Sequence, residues 1–153
     1  MIELETVTKE EIQNILVTNN ISIVLDDDND DDNNDEIEIQ HEDESGYSIY
    51  VKIDAYHNSL RIYGIADKII RERRSKLKGN ELLEVVNMIN LGSNAVKYST
   101  ISGLTMTFEY GIPLVGKISE EHLVHTINFV IDEVSLLGGI FDHFLKLVRK
   151  INK

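Results

Sequence analysis

Three groups of residues in this chain have types and spacings that could do chemistry. The most conspicuous is Asp26 to Glu36, a run made only of Asp, Asn and one Glu. In one frame Asp27, Asn29, Asp31, Asn33, Asp35 and Glu38 match the ligand spacing of a calcium-binding EF-hand loop. Position six of that frame is Asp32, where the sharp turn needs glycine, and no second EF-type helix follows. Like charges at this density repel one another, so the run reads as a solvated hairpin loop with loose divalent binding at most. The second group is His122 and His125 with Glu121 beside them, which puts two imidazoles on neighbouring helical turns. There is no HExxH and no second Glu-x-x-His to complete a di-iron centre. His143 lies eighteen residues beyond His125, roughly 27 Å at helical rise, so it joins neither in one straight helix. These histidines read as exposed polar-face residues.

The third group, Arg71, Arg73, Arg74, Lys76 and Lys78, is the one basic cluster outside the C-terminus. It lacks interleaved aromatics, and the formal net charge of −12 repels phosphate backbones. A solvated linker face is the better reading than a nucleic-acid site. No P-loop, GxGxxG or GxSxG occurs, and with no cysteine there is no thiolate chemistry or disulfide framework. The expectation is therefore a non-enzymatic protein without metal or cofactor.

The elements come next. Leu82, Val85, Val86 and Ile89 fall on one apolar sector of a helix built to lie on a sheet. Asn90 projects into that sector and Asn87 sits at its edge. Burying a carboxamide unpaired costs roughly 1–3 kcal/mol, so flanking strands are expected to supply partners and both asparagines are assigned structural roles. Ahead of this helix, Thr8-Lys9-Glu10-Glu11 is a capping box opening a helix with Ile12, Ile15 and Leu16 on one edge. Ile21–Leu25, Glu36–Gln40, Tyr47–Ala55 and Leu60–Tyr63 read as strands joined by short turns, hence an antiparallel meander. Ala95–Thr100 and Leu104–Tyr110 flank a hairpin turn, and Gly111 with Pro113 closes the second strand.

Ser119-Glu120-Glu121 caps the last helix. Leu123, Ile127, Val130, Ile131, Val134 and Leu137 form its core stripe, continued by Phe141, Leu145 and Val148 if the helix runs through Gly138-Gly139. A second stripe lies on another side: Phe129, Leu136, Ile140, Leu147 and Ile151. Either Gly138-Gly139 kinks the helix and both stripes are core, or the second stripe is left for a partner.

At 153 residues the chain is the size of one domain, 1–153, with an acidic loop at 26–36. Its acidic start carries no signal-peptide pattern and no apolar run reaches membrane-spanning length, so a cytoplasmic domain is expected. Val86-Asn87-Met88-Ile89-Asn90, the strand pair Ala95–Thr100 and Leu104–Tyr110, and Ile118-Ser119-Glu120-Glu121-His122-Leu123 resemble the YbjN-like family. The N-terminal helix, the meander with Tyr47–Ala55 and the strand near Leu60 follow the same plan. The resemblance implies an α+β sandwich like that of type III secretion chaperones, in bacterial proteins labelled sensory-transduction regulators without an established reaction. The acidic loop departs from that pattern as an insertion.

The expected role is an acidic protein-binding module, a chaperone-like or regulatory adaptor. It would dock a polypeptide through an apolar sheet face and the stripe Phe129, Leu136, Ile140, Leu147 and Ile151. A homodimer is expected, with neither nucleic acid nor membrane as partner. The alternatives are a calcium-responsive sensor using the acidic loop, a hydrolase with a concave pocket, and an acidic inhibitor that mimics nucleic acid.

Overall fold

The computed structural model describes residues 1–24, 35–40, 47–92, 95–102 and 105–153. Residues 25–34, 41–46, 93–94 and 103–104 lie outside the described residues. Four of the six EF-type ligands, Asp27, Asn29, Asp31 and Asn33, go with them.

Among the described residues the chain runs through β1 (Ile2–Glu3), α1 (Lys9–Thr18), β2 (Glu36–Ile39), β3 (Ser48–Asp54), β4 (Ser59–Ile65) and α2 (Asp67–Arg73). A 3-10 turn at Arg74–Lys76 leads to α3 (Glu81–Gly92), β5 (Lys97–Ile101), β6 (Thr105–Pro113), β7 (Lys117–Ile118), α4 (Glu120–Ser135) and α5 (Leu137–Ile151). The fold is α+β, as expected. β2-β3-β4-β6-β5 form one antiparallel sheet in that order, and β1 pairs with β7 in a separate ribbon.

Alternation builds the sheet. Ile37, Ile39, Ile49, Val51, Leu60, Ile62, Met106, Phe108 and Tyr98 all point to one face and are buried there under the helices. One pair in that face depends on glycine. Gly64 sits opposite Phe108, and a Cβ on Gly64 would lie 2.5 Å from the Phe108 ring and 1.8 Å from the Ser48 carbonyl. The aromatic ring occupies the space that the missing side chain leaves.

The capping box opens α1 as expected: the Glu11 amide donates to Thr8 Oγ1 at 3.2 Å and the Thr8 amide to Glu11 Oε2 at 2.9 Å. Ile21–Leu25 departs from expectation. As far as Val24 it makes one bridge, Ile23 to Ile39, and covers the outer edge of β2. β6 also runs on through Gly111 to Pro113, paired with β4 up to Ser59. Pro113 is tolerated because β5 pairs with β6 only as far as Glu109, so this end of β6 is an edge. The basic linker is in fact helical. α2 buries Ile69 and Ile70 below its arginines, an amphipathic pattern too short to stand out by periodicity.

Ser119 caps α4, its hydroxyl accepting the His122 amide at 3.1 Å. The rod formed by α4 and α5 bends by 48° at Leu136, just before the paired glycines. Among the described residues, no single helix is long and apolar enough to cross a membrane.

Candidate functional site: the outer flank of the C-terminal helices

Leu123, Ile127, Val130, Val134, Leu137, Phe141, Leu145 and Val148 are all buried, so the first stripe of α4 and α5 faces the core through the bend. Ile131, assigned to the same stripe, is only partly buried. The second stripe lies in the open: Leu136 is 64% exposed, Ile151 71% and Phe129 43%. Ile140 and Leu147 are half-buried, and Ile140 packs against the rim of the core. The bend thus occurs without burying the second stripe, a combination that neither expectation contained.

Wound at about 100° per residue, Ile140, Phe144, Leu147 and Ile151 share roughly 60° of helix surface. Phe144 belongs to this set by its spacing, though the sequence reading left it out. It is half-buried, with Gly92 of α3 beneath its ring edge. On α5 the two stripes merge into one continuous apolar sector. Its inner part is core and its outer part is surface.

Charged groups hold α5 in place. Arg73 donates to both Asp142 carboxylate oxygens at 2.6 and 2.9 Å, and to the Gly138 carbonyl at 3.4 Å. This pair holds the Asp142 carboxyl below its ordinary range. Arg149 makes the same forked contact with Glu81 at 2.8 Å on each arm, and its hydrogen bonds lower the Glu81 pKa to about 2. Arg73 of the basic cluster and Arg149 of α5 therefore have packing roles that their spacing did not show.

Asn90 has the partners its position demanded. Its amide donates to the Tyr98 carbonyl at 2.7 Å and its carbonyl accepts the Tyr98 N–H at 2.8 Å. Both backbone groups of one residue on an edge strand are thereby closed by a side chain from α3. Asn87 is exposed on the helix surface, so the holding role rests on Asn90 alone.

The open sheet face is not apolar, which corrects the expectation of a greasy docking surface there. Across it run Glu38, Tyr50, Tyr63, Glu109 and Lys97 in one row and Glu36, Lys52, Arg61 and Gly111 in the next. Arg61 bridges Asp54 and Glu109, and the Tyr63 hydroxyl donates to Glu36. His57 Nδ1 lies 2.7 Å from Asp54, and with the His57 amide it holds that carboxyl well below its usual range. A shallow cavity of about 280 Å³ adjoins this network at His57, Ser59 and Lys97. Such cross-strand pairs are the ordinary way a solvated sheet face is stabilised.

No family model and no curated protein matches this chain. The geometry therefore carries the functional argument. His122, His125 and His143 are exposed on the helix surface, as read from their pattern. Among the described residues no three His, Asp or Glu side chains gather as a metal site. Glu38, the twelfth position of the EF-type frame, stands in β2 opposite Tyr50, not on a helix. An open groove of about 790 Å³ between the end of β2 and α2 has Glu38, Tyr47, Asp67 and Arg71 on its walls, with Asp67 and Arg71 paired to each other.

Proposed function

We propose that this chain is a non-enzymatic protein-binding module, a chaperone-like or regulatory adaptor that docks a polypeptide on the outer flank of α4 and α5. The observation that carries the reading is the open apolar flank itself. Phe129, Leu136 and Ile151 stay exposed although the same helices bury eight other apolar side chains. A helix packed on one sheet needs one apolar side; further apolar side chains left open on both arms of the rod support an interaction surface there.

The YbjN-like assignment belongs to the same proposal. It is supported by the layout of an N-terminal helix, an antiparallel sheet, and central and C-terminal helices over one face of it. The polar open face of the sheet is left out of the docking surface. The test is affinity capture from the native cell with the wild-type chain and with Leu147→Asp, after matching the two by circular dichroism and melting temperature. The reading expects a bound polypeptide to be lost with the variant. Equal recovery by both chains would sink it.

A further inference from the structure

Ile140, Phe144, Leu147 and Ile151 follow one another at intervals of four, three and four residues. That is the spacing of a coiled-coil seam, in which one helix presents apolar knobs to another laid alongside it. Ile151 is 71% exposed and the other three are half-buried, so the core covers this seam only in part.

The two margins of the seam differ. On one side Val148 and Phe141 are buried in the core, and beyond them Arg149 is tied to Glu81 of α3. On the other side, at about 100° per residue, the next positions around the helix are His143, Lys150 and Lys146, all exposed. The one acidic residue of α5, Asp142, stands on the far side of the helix, held by Arg73. The open margin is therefore basic along its length.

In paired helices the residues beside one seam meet those beside the other, and their charges choose the partner. A second α5 on this face would set lysine against lysine, which disfavours it. The overall charge of −12 opposes an acidic partner at long range. At physiological ionic strength, however, exposed charges more than about 8 Å apart are largely screened, so the side chains at the seam decide.

We infer that the polypeptide docked on this flank is an acidic amphipathic helix. It lies along α5 with its apolar residues on Ile140, Phe144, Leu147 and Ile151 and its carboxylates beside Lys150 and Lys146. The inference rests on the docking reading above and adds the chemistry of the partner. From Ile140 to Ile151 the seam rises only roughly 17 Å, so the contact is small and the charged margin carries a visible share of the affinity.

Calorimetric titration of the wild-type chain with two synthetic peptides tests it. Both are three-heptad helices with Leu at the seam positions; one carries Glu and the other Lys at every flanking position. The Glu peptide should bind at least about tenfold more tightly than the Lys peptide, and the gap should narrow as salt is raised. A chain carrying Lys146→Glu and Lys150→Glu should reverse the preference, and Leu147→Asp should abolish binding of both peptides. Equal affinities, no binding of either peptide at about 500 μM, a preference unmoved by the two lysine substitutions, or binding that survives Leu147→Asp would overturn the inference. So would self-association through Leu147 that shuts out the Glu peptide. Leu147-dependent binding to vesicles of phosphatidylcholine and phosphatidylserine would put a membrane surface on the seam and overturn it as well. Capture from the native cell that still depends on Leu147, with no preference between the peptides, would leave the docking reading standing without an acidic partner, so the two failures are separable.

Discussion

The two apolar stripes of the C-terminal rod have much the same composition and opposite fates. The inner one, from Leu123 to Val148, lies sealed against the sheet and α3. The outer one, from Phe129 to Ile151, lies at the surface. Hydropathy alone does not separate them, since the outer is built of Leu, Ile and Phe and the inner of the same types with Val. They are separated by angle around the helix, because one face can rest on the sheet and the adjoining face cannot. Buried apolar groups stabilise the fold through the water they shed and the contacts they fill; exposed ones gain that only when something binds.

Truncation should separate the stripes most sharply. Phe141 is fully buried, so Phe141→Ala should cost about 3–5 kcal/mol in urea unfolding, from lost transfer energy and the cavity left behind. Leu147→Ala should cost well under half as much by the same measurement. Equal costs would mean that the outer stripe is core after all, and the docking proposal would fail with the distinction. Next in size is Asn90, which links the inner structure to the sheet edge. Asn90→Leu removes both partners of Tyr98 and should cost about 2 kcal/mol, from backbone groups left without hydrogen bonds. Amide hydrogen exchange at Tyr98 should accelerate in the same variant. Unchanged exchange would show that the clamp does not protect this edge.

The inner stripe was legible in the sequence because nine residues, from Leu123 to Val148, repeat at helical spacing over 26 positions. The partners of Asn90 could be anticipated because a carboxamide inside an apolar sector has to be satisfied. Short elements were not legible. α2 has seven residues and only Ile69 and Ile70 buried, too few for a period to register, and its arginines suggested solvent. β1 and β7 have two residues each, and their pairing is a tertiary fact with no local pattern. Phe144 was overlooked because its position falls between two stripes that had been drawn apart. The forked contacts of Arg73 and Arg149 join residues about seventy positions apart, which no spacing rule reaches.

A smaller effect should come from the ion pairs that hold α5. The Glu81 pKa drops from 4.5 to about 2 because Arg149 favours the charged form. A carboxyl whose folded pKa is depressed contributes stability that is fully present above its unfolded value and lost as pH falls through the folded one. The Glu81 contribution should therefore fade between about pH 4.5 and pH 2. Asp142, lowered in the same direction by Arg73, should add to it. In thermal melts, Glu81→Gln should flatten part of this acid loss while lowering stability at neutral pH by no more than about 1 kcal/mol, because the pair is near the surface. A variant with the wild-type acid profile would show that the forked contact contributes nothing to holding α5.

The smallest expected change in stability is the most discriminating one for the comparison. Leu136 stands at the bend with most of its surface in water, and Ile151 is similarly open at the end of α5. Replacing either by Ser removes no core contact, so the unfolding free energy should move by no more than about 0.5 kcal/mol. Recovery of a bound polypeptide should nonetheless fall, since Leu136 lies in the middle of the open flank proposed to dock it. The expected result for Leu136→Ser is therefore an unchanged urea midpoint together with reduced polypeptide recovery in affinity capture. An inner-stripe substitution cannot give that combination, because it disturbs the fold before it disturbs association. If Leu136→Ser moved the midpoint as far as Phe141→Ala, or left polypeptide recovery untouched, the outer stripe would have no role separate from the core.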